Sequence, residues 1–399
     1  MKNNIKSVII AFASVALVIS SCKKDNQENI DQQSTSALPD VSERNTNPDE
    51  TIIKNEAQRN SFTSYLYTES NEMGTNHIHI YKQHPDGHLS HEGMVASGGA
   101  GNAMGLGSQG ALCVNANNKL LFAVNAGDNS VSSFRIHTNG SLTLLDTKPS
   151  GGTTPVSLCI RNRHLYIVHS GSSSINGFSV DAMGTLLEIP GSNHPLSSSN
   201  AGPAQIAFSP NGHYIYVTEK MNNKITSFVL DANGVASPYI SVSSTGTTPF
   251  GFSIARNKYM IVTNANGGTP QGSSCTSYSA LNSGSVNPVN GNIANNQTAA
   301  CWAATTVFGT FTYVSNTGSN TISTYYTAPA GNLYLVHANT VATGNSPADI
   351  CVAPNNYYIY NINSMSHSIS GFHRTFLGDL IPDGTTSGLP AFASGLVAI

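Results

Sequence analysis

Acid–base chemistry asks for an imidazole or carboxyl group held beside a place where a ligand can sit. The chain offers such groups at a repeated position. Seven short apolar stretches end on Glu69, Asn125, His169, Glu219, Asn264, Asn316 and Asn363. Most carry Asn there, so His169 and Glu219 break the pattern and stand out as candidate catalytic residues. A second set, Gln109, Ser157, Gln205, Phe250, Trp302 and Asp349, stands at the starts of neighbouring strands. In an antiparallel hairpin the start of one strand lies beside the end of the next, so both sets open on one face. His169 or Glu219 would activate water against an ester carbonyl, with Gln205 or a backbone N–H holding the oxyanion. Glu69, Gln205, Phe250, Trp302 and Asp349 would line the ligand site, with the only Trp as a stacking wall. The same palette suits a non-catalytic site for a carbohydrate, a small polar ligand or a protein loop.

Other chemistries lack their residues. The 13 His are scattered, and His77 and His79 share one face of an outer strand, which is not a metal-ligand spacing. No serine-nucleophile motif or dinucleotide fingerprint occurs, and no cofactor is expected. Only 10% of the chain is charged, with a formal net charge of -3 and no Lys/Arg cluster. Nucleic acid and polyanions are therefore poor partners. A monomer acting on a small molecule is expected.

The elements that position these residues form a repeat. In the stretch from Ala201 to Phe228, alternating Ile206 and Phe208 predict a half-buried strand. Ser209-Pro210-Asn211-Gly212 is turn chemistry, and Tyr214 to Thr218 is rich in aromatic and β-branched residues. Ile225 to Phe228 is a third strand after a second turn. The middle strand recurs as Ser64–Thr68, Leu121–Val124, Leu165–Val168, Ile215–Thr218, Met260–Thr263, Thr312–Ser315 and Tyr358–Ile362. Gly87, Gly140, Gly184, Gly234, Gly284, Gly331 and Gly378 follow the third strands at an average spacing of roughly 49 residues. A fourth strand follows each Gly. Seven repeats of four strands predict an all-β fold, a seven-bladed β-propeller.

Only six first strands precede or lie within the repeats, and the body enters at a second strand. The run Leu389 to Val397 has the form of a first strand, so the C-terminus is expected to complete the first blade and close the ring. Cys113, Cys159 and Cys351 fall at equivalent positions of their first strands, as small buried residues too far apart to pair. Whether Cys275 and Cys301 pair is left open.

Residues 1–21 read as a secretory signal, with Lys2 and Lys6 before the apolar run Val8 to Ile19. Ile19-Ser20-Ser21-Cys22 resembles the bacterial lipobox, which makes Cys22 the expected lipidation site. A lipid is a tether and not a span. Residues 22–60 are polar and aperiodic, as in a disordered tether, and 61–399 form the propeller. The expected location is the cell envelope, periplasmic or at the cell surface.

The run Gly202-Pro203-Ala204-Gln205-Ile206-Ala207-Phe208-Ser209-Pro210-Asn211-Gly212, followed by Val217-Thr218-Glu219-Lys220, resembles the lactonase-type propeller family. Thr248-Pro249-Phe250-Gly251-Phe252 and Tyr313-Val314-Ser315-Asn316-Thr317-Gly318 are similar to it as well. That family includes 6-phosphogluconolactonases and carboxymuconate-lactonising enzymes. The resemblance spans Ser61 to Ile399. It implies formation or opening of the lactone of a small sugar-acid-like or organic-acid substrate. It also implies a Pro-Arg-His run in one first strand, where this chain has Pro203-Ala204-Gln205, and a His after an earlier Pro, where it has Pro155-Val156-Ser157. The acidic residue at the end of the second strand matches as Glu219.

Overall fold

The computed structural model describes residues 38–39, 64–115, 117, 119–279, 284 and 286–399. The signal, Cys22 and almost all of the expected tether lie outside them. The rest forms seven antiparallel sheets, one per blade. Blade 4 shows the unit, with strands Pro203–Phe208, Tyr214–Glu219, Lys224–Val229 and Ile240–Ser243 in that order from the axis outward. The innermost strands of blades 2 to 7 are Leu112–Asn115, Pro155–Arg161, Pro203–Phe208, Pro249–Ala255, Ala300–Thr305 and Pro347–Val352.

Ser394–Ala398 is the innermost strand of blade 1 and pairs with Ser64–Glu69, so the C-terminus closes the ring. The final residue contributes too: Tyr65 and Ile399 exchange backbone hydrogen bonds of 2.9 and 3.0 Å. This strand is shorter than the expected run from Leu389. Pro390 to Phe392 instead turn the chain, with Ala393 N–H donating to Pro390 O. Proline has no N–H for a ladder, so the turn takes the residues that the strand cannot use.

Adjacent blades bury apolar faces against each other. Val168 and Ile175 of blade 3 and Ile206, Ile215 and Phe228 of blade 4 share one core cluster. Burial of each such side chain is worth about 1.5–3 kcal/mol. Between those faces runs a ring of hydrogen bonds that explains the repeat glycines. Tyr67 Oη donates to Gly140 O, Ser133 Oγ to Gly184 O and Tyr166 Oη to Gly234 O. Ser227 Oγ donates to Gly284 O, Ser277 Oγ to Gly331 O and Thr324 Oγ1 to Gly378 O. Tyr360 Oη completes the circle on Gly87 O. All seven glycines have φ between 72° and 91°. An L side chain is strained there, and the turn presents the glycine carbonyl to the preceding blade.

Candidate functional site

The ends of the second strands do not form an open face. Asn125 Nδ2 donates to Ser130 and Ser132 on the third strand of its own blade, at 3.0 and 2.9 Å. Asn264, Asn316 and Asn363 make the same pair of bonds to Ser or Thr. These side chains tie the second strand to the third inside the blade, and backbone is not their main partner. Glu219 and His169 occupy the same place. Glu219 is fully buried and accepts from Thr226 Oγ1 at 2.5 Å, Asn222 Nδ2 at 2.8 Å, and the Ser197 amide and hydroxyl. His169 is fully buried, with Nδ1 3.3 Å from Ser174 O and Nε2 3.0 Å from Ser150 Oγ. Burial pushes its pKa down to about 4, so it is neutral at physiological pH. Both candidate bases are thus engaged in hydrogen bonds at the ends of their strands. Their polar atoms are used inside the blades, and neither residue reaches the cavity described next. They break the Asn pattern in type and keep its structural task.

The axis is closed at the end where the innermost strands begin. Residues 105–110 cross it as a strap. Trp302 Nε1 donates to Ser108 O at 2.9 Å, and Ser108 Oγ donates to Val156 O at 2.7 Å. Gln109 N–H donates to Ala204 O at 2.9 Å. The Gln109 amide spans to blade 6, donating to Ala303 O at 2.7 Å and accepting from Ala303 N–H at 3.0 Å. Lys220 Nζ donates to Gly107 O and lies 4.8 Å from the centroid of the Phe250 ring. The rings of Phe250 and Trp302 pack 5.0 Å apart. Trp302 and Phe250 are therefore buried supports of the strap, where the sequence suggested a stacking wall for ligand. The open funnel expected at this end is filled by the chain itself.

Beneath the strap lies a central cavity of about 380 Å³. Gln109, Gly110, Gln205 and Asp349 form its floor. Its wall continues along the innermost strands of blades 1 to 4 to Phe208 and Arg161, at the strand ends. Exposure rises in that direction: Val156 and Leu158 are buried, while Ile160 and Arg161 are half-buried. The cavity thus opens on the face opposite the one expected. It is offset from blades 5 and 6 because the Gln109 amide sits against them. A Cβ on Gly251 would lie 2.0 Å from Gln109 Oε1.

Two of the expected ligand residues do meet at the floor. Asp349 is 4% exposed and accepts from Gly395 N–H at 2.9 Å and Gly110 N–H at 3.4 Å. Burial pushes its carboxyl up to about 7, against the pull of those two amides. Gln205 Oε1 is fixed by the Phe252 N–H at 2.6 Å, which leaves its –NH₂ as the end able to donate elsewhere. Glu69 belongs to neither floor nor wall; it is fully buried at the end of its strand.

Arg161 was missed by sequence reasoning, which weighed strand starts and not strand ends. Its signal was a charged residue closing an otherwise apolar strand. The guanidinium donates to Pro210 O at the mouth. Cys113 and Cys159 line the wall, and no disulfide joins Cys113, Cys159, Cys275, Cys301 or Cys351. Among the described residues, no three His, Cys, Asp or Glu side chains are placed to hold a metal ion.

Comparisons with known proteins agree with this architecture. Residues 99–194 and 162–271 match the family model described as Lactonase, 7-bladed beta-propeller. The search of curated proteins found no match. Among solved structures, a candidate 6-phosphogluconolactonase from Bacteroides fragilis is 18% identical, with a TM-score of 0.67, covering 84% of this chain and 98% of its own. A Pseudomonas aeruginosa periplasmic gluconolactonase is 15% identical, also with a TM-score of 0.67, covering 85% and 99%. A functionally unknown protein from Desulfotomaculum acetoxidans is 14% identical, with a TM-score of 0.64, covering 84% and 98%. At these identities the structural likeness is one of fold. The seven blades make the chain a seven-bladed β-propeller, and residues 99–271 within it are similar to the lactonase-type propeller family.

Proposed function

We propose that the central cavity opens the lactone ring of a small organic or sugar acid, with Asp349 as general base. The observation that carries this reading is a buried carboxyl group at the cavity floor, pushed up to about 7 by its burial, beside an amide able to donate. Water attacks the lactone carbonyl while Asp349 takes one of its protons. The Gln205 –NH₂ donates to the oxyanion. The ring C–O bond then breaks, Asp349 returns the proton to the leaving alkoxide, and the new carboxylic acid loses its own to solvent. Arg161 at the mouth attracts the acidic end of a substrate. The family match supports lactone chemistry, whereas the family's Arg and His positions are replaced here, so the base is assigned to a different residue.

The protein works as a monomer carried in the cell envelope on a lipid at Cys22. The periplasmic gluconolactonase of Pseudomonas aeruginosa, similar in fold, supports the envelope. The test of function is a panel of γ- and δ-lactones with wild type and Asp349→Asn. Ring opening that falls by about 10²–10⁴ in the variant supports a general base. Wild-type protein that binds a sugar or acid from the panel and opens no lactone would make the cavity a binding site alone.

A further inference from the structure

A second carboxyl group stands next to the cavity floor and has no part in the chemistry above. Glu69 ends its strand with its side chain fully buried. Oε2 accepts from Asn76 Nδ2 at 3.2 Å, and Oε1 is buried with no hydrogen-bond partner. A fully ionised carboxylate would leave that oxygen's charge uncompensated, at a heavy desolvation cost.

Its neighbour is the Asp349 site. Glu69 pairs across the sheet with Ser394, and the next residue, Gly395, gives its N–H to Asp349 Oδ2. One closing strand therefore holds both acids. The groups acting electrostatically here can be named. The Asp349 charge acts on Glu69 and on Cys351, which lies two residues along the same strand. No Lys, Arg or His acts on either carboxyl among the described residues.

We infer that Glu69 and Asp349 form a coupled acid pair in which Glu69 keeps its proton and Asp349 alone exchanges one with the cavity. Two buried like charges with no cation beside them cannot both ionise near neutrality. The asymmetry has a structural cause. Asp349 has two backbone N–H donors for a negative charge, while Glu69 has one side-chain amide. Burial holds Glu69 well above the ordinary carboxyl range, against the pull of the Asn76 amide and with a smaller push from the Asp349 charge. Glu69 is thus a positioning residue, because its neutrality lets Asp349 ionise at the floor. The inference stands without the lactone reading, but it sets the pH at which that site would work. Below about pH 7 the floor presents an O–H donor, and above it an acceptor and base.

The test is a titration that needs no substrate. The carboxyl carbons of the 21 Asp and Glu residues are labelled with ¹³C and followed by NMR in the full chain, with Asp349→Asn and Glu69→Gln assigning the two signals. Wild type is expected to show one signal with a midpoint near 7, absent in Asp349→Asn, and a Glu69 signal still protonated at pH 7. In Asp349→Asn the Glu69 midpoint is expected to fall by half a unit or more, because the neighbouring charge is gone. In Glu69→Gln the Asp349 midpoint is expected to stay within half a unit, because Gln carries the charge of protonated Glu. A Glu69 signal that titrates below pH 5 in wild type would overturn the inference. So would an Asp349 midpoint that drops by more than one unit in Glu69→Gln. If Glu69→Gln does not fold, the wild-type and Asp349→Asn titrations still decide. If these titrations hold while Asp349→Asn still opens lactones, only the functional reading fails.

Discussion

Tyr360 Oη donates to Gly87 O across 2.8 Å and joins the last blade to the first. The bond crosses the interface between blades 7 and 1, and six equivalents join the other blades. Tyr360→Phe removes the donor and leaves a buried carbonyl unpaired. The expected loss is about 1–3 kcal/mol by denaturant unfolding. Deleting residues 394–399 removes the innermost strand of blade 1 and should abolish cooperative unfolding altogether. A truncated protein that melts within a few degrees of the full chain would show that the closing strand is dispensable.

Glu219→Gln separates the structural role from the catalytic one that the sequence suggested. Thr226, Asn222 and Ser197 all donate to the carboxylate, and an amide turns an –NH₂ toward some of those donors. The variant should lose about 1–3 kcal/mol of stability. Lactone opening per folded molecule should stay within a few-fold of wild type. His169→Asn restores the residue that most blades use and should cost less than about 1 kcal/mol.

Those two residues mark the limit of what could be read from sequence. The blades were legible because turn residues, alternation and the seven glycines recur in step, and each signal has a local cause. Closure was legible because one inner strand was missing and the C-terminus had its form. The site was not, because its shape depends on a single irregular segment. Nothing local in Gly105-Leu106-Gly107-Ser108-Gln109-Gly110 reveals that it crosses the axis. Once it does, Trp302 and Phe250 become its supports and the cavity opens at the other end. Asp349 and Gln205 line the cavity because they lie under the strap, near the starts of their strands.

The strap gives its own prediction. Gln109→Ala loses the two bonds to Ala303 and leaves both backbone groups without that partner. Gly251→Ala drives a methyl group to 2.0 Å from Gln109 Oε1 and 2.6 Å from Cys301 O. Both should lower stability, Gly251→Ala by about 1–3 kcal/mol through overpacking. Both should also increase quenching of Trp302 fluorescence by acrylamide, since its indole N–H is held by Ser108. Unchanged quenching in both variants would argue against the strap as the seal.

Acid should loosen the fold through two imidazoles. His79 Nδ1 lies 3.2 Å from His91 Nε2, and burial, helped by His91, pushes His79 down to about 4, as burial does His169. The neutral form is favoured in the folded state, so this stability is complete above about 6.5 and lost as pH falls toward 4. Each group contributes up to about 3 kcal/mol. His79→Phe should flatten the fall in melting temperature between pH 6.5 and 4, and adding His169→Asn should flatten it further. A fall as steep as that of wild type in the double variant would assign the acid sensitivity elsewhere.

Asp349 has the opposite sign. Its folded pKa is raised from 3.8 to about 7, so the stability it contributes is present below about 4 and lost as pH rises through 7. Asp349→Asn should therefore gain stability relative to wild type at pH 8, compared with pH 5. A variant that loses ground at pH 8 would mean that the carboxylate is a stabilising charge.

The most direct measurement is the pH dependence of lactone opening by wild type and Asp349→Asn, with Glu219→Gln alongside. The account predicts a wild-type rate that rises through a midpoint near 7, as the base ionises. It predicts a drop of about 10²–10⁴ in Asp349→Asn at pH 8, with Glu219→Gln keeping the wild-type profile. Wild-type turnover in Asp349→Asn, or its loss in a folded Glu219→Gln with Asp349 intact, would contradict it.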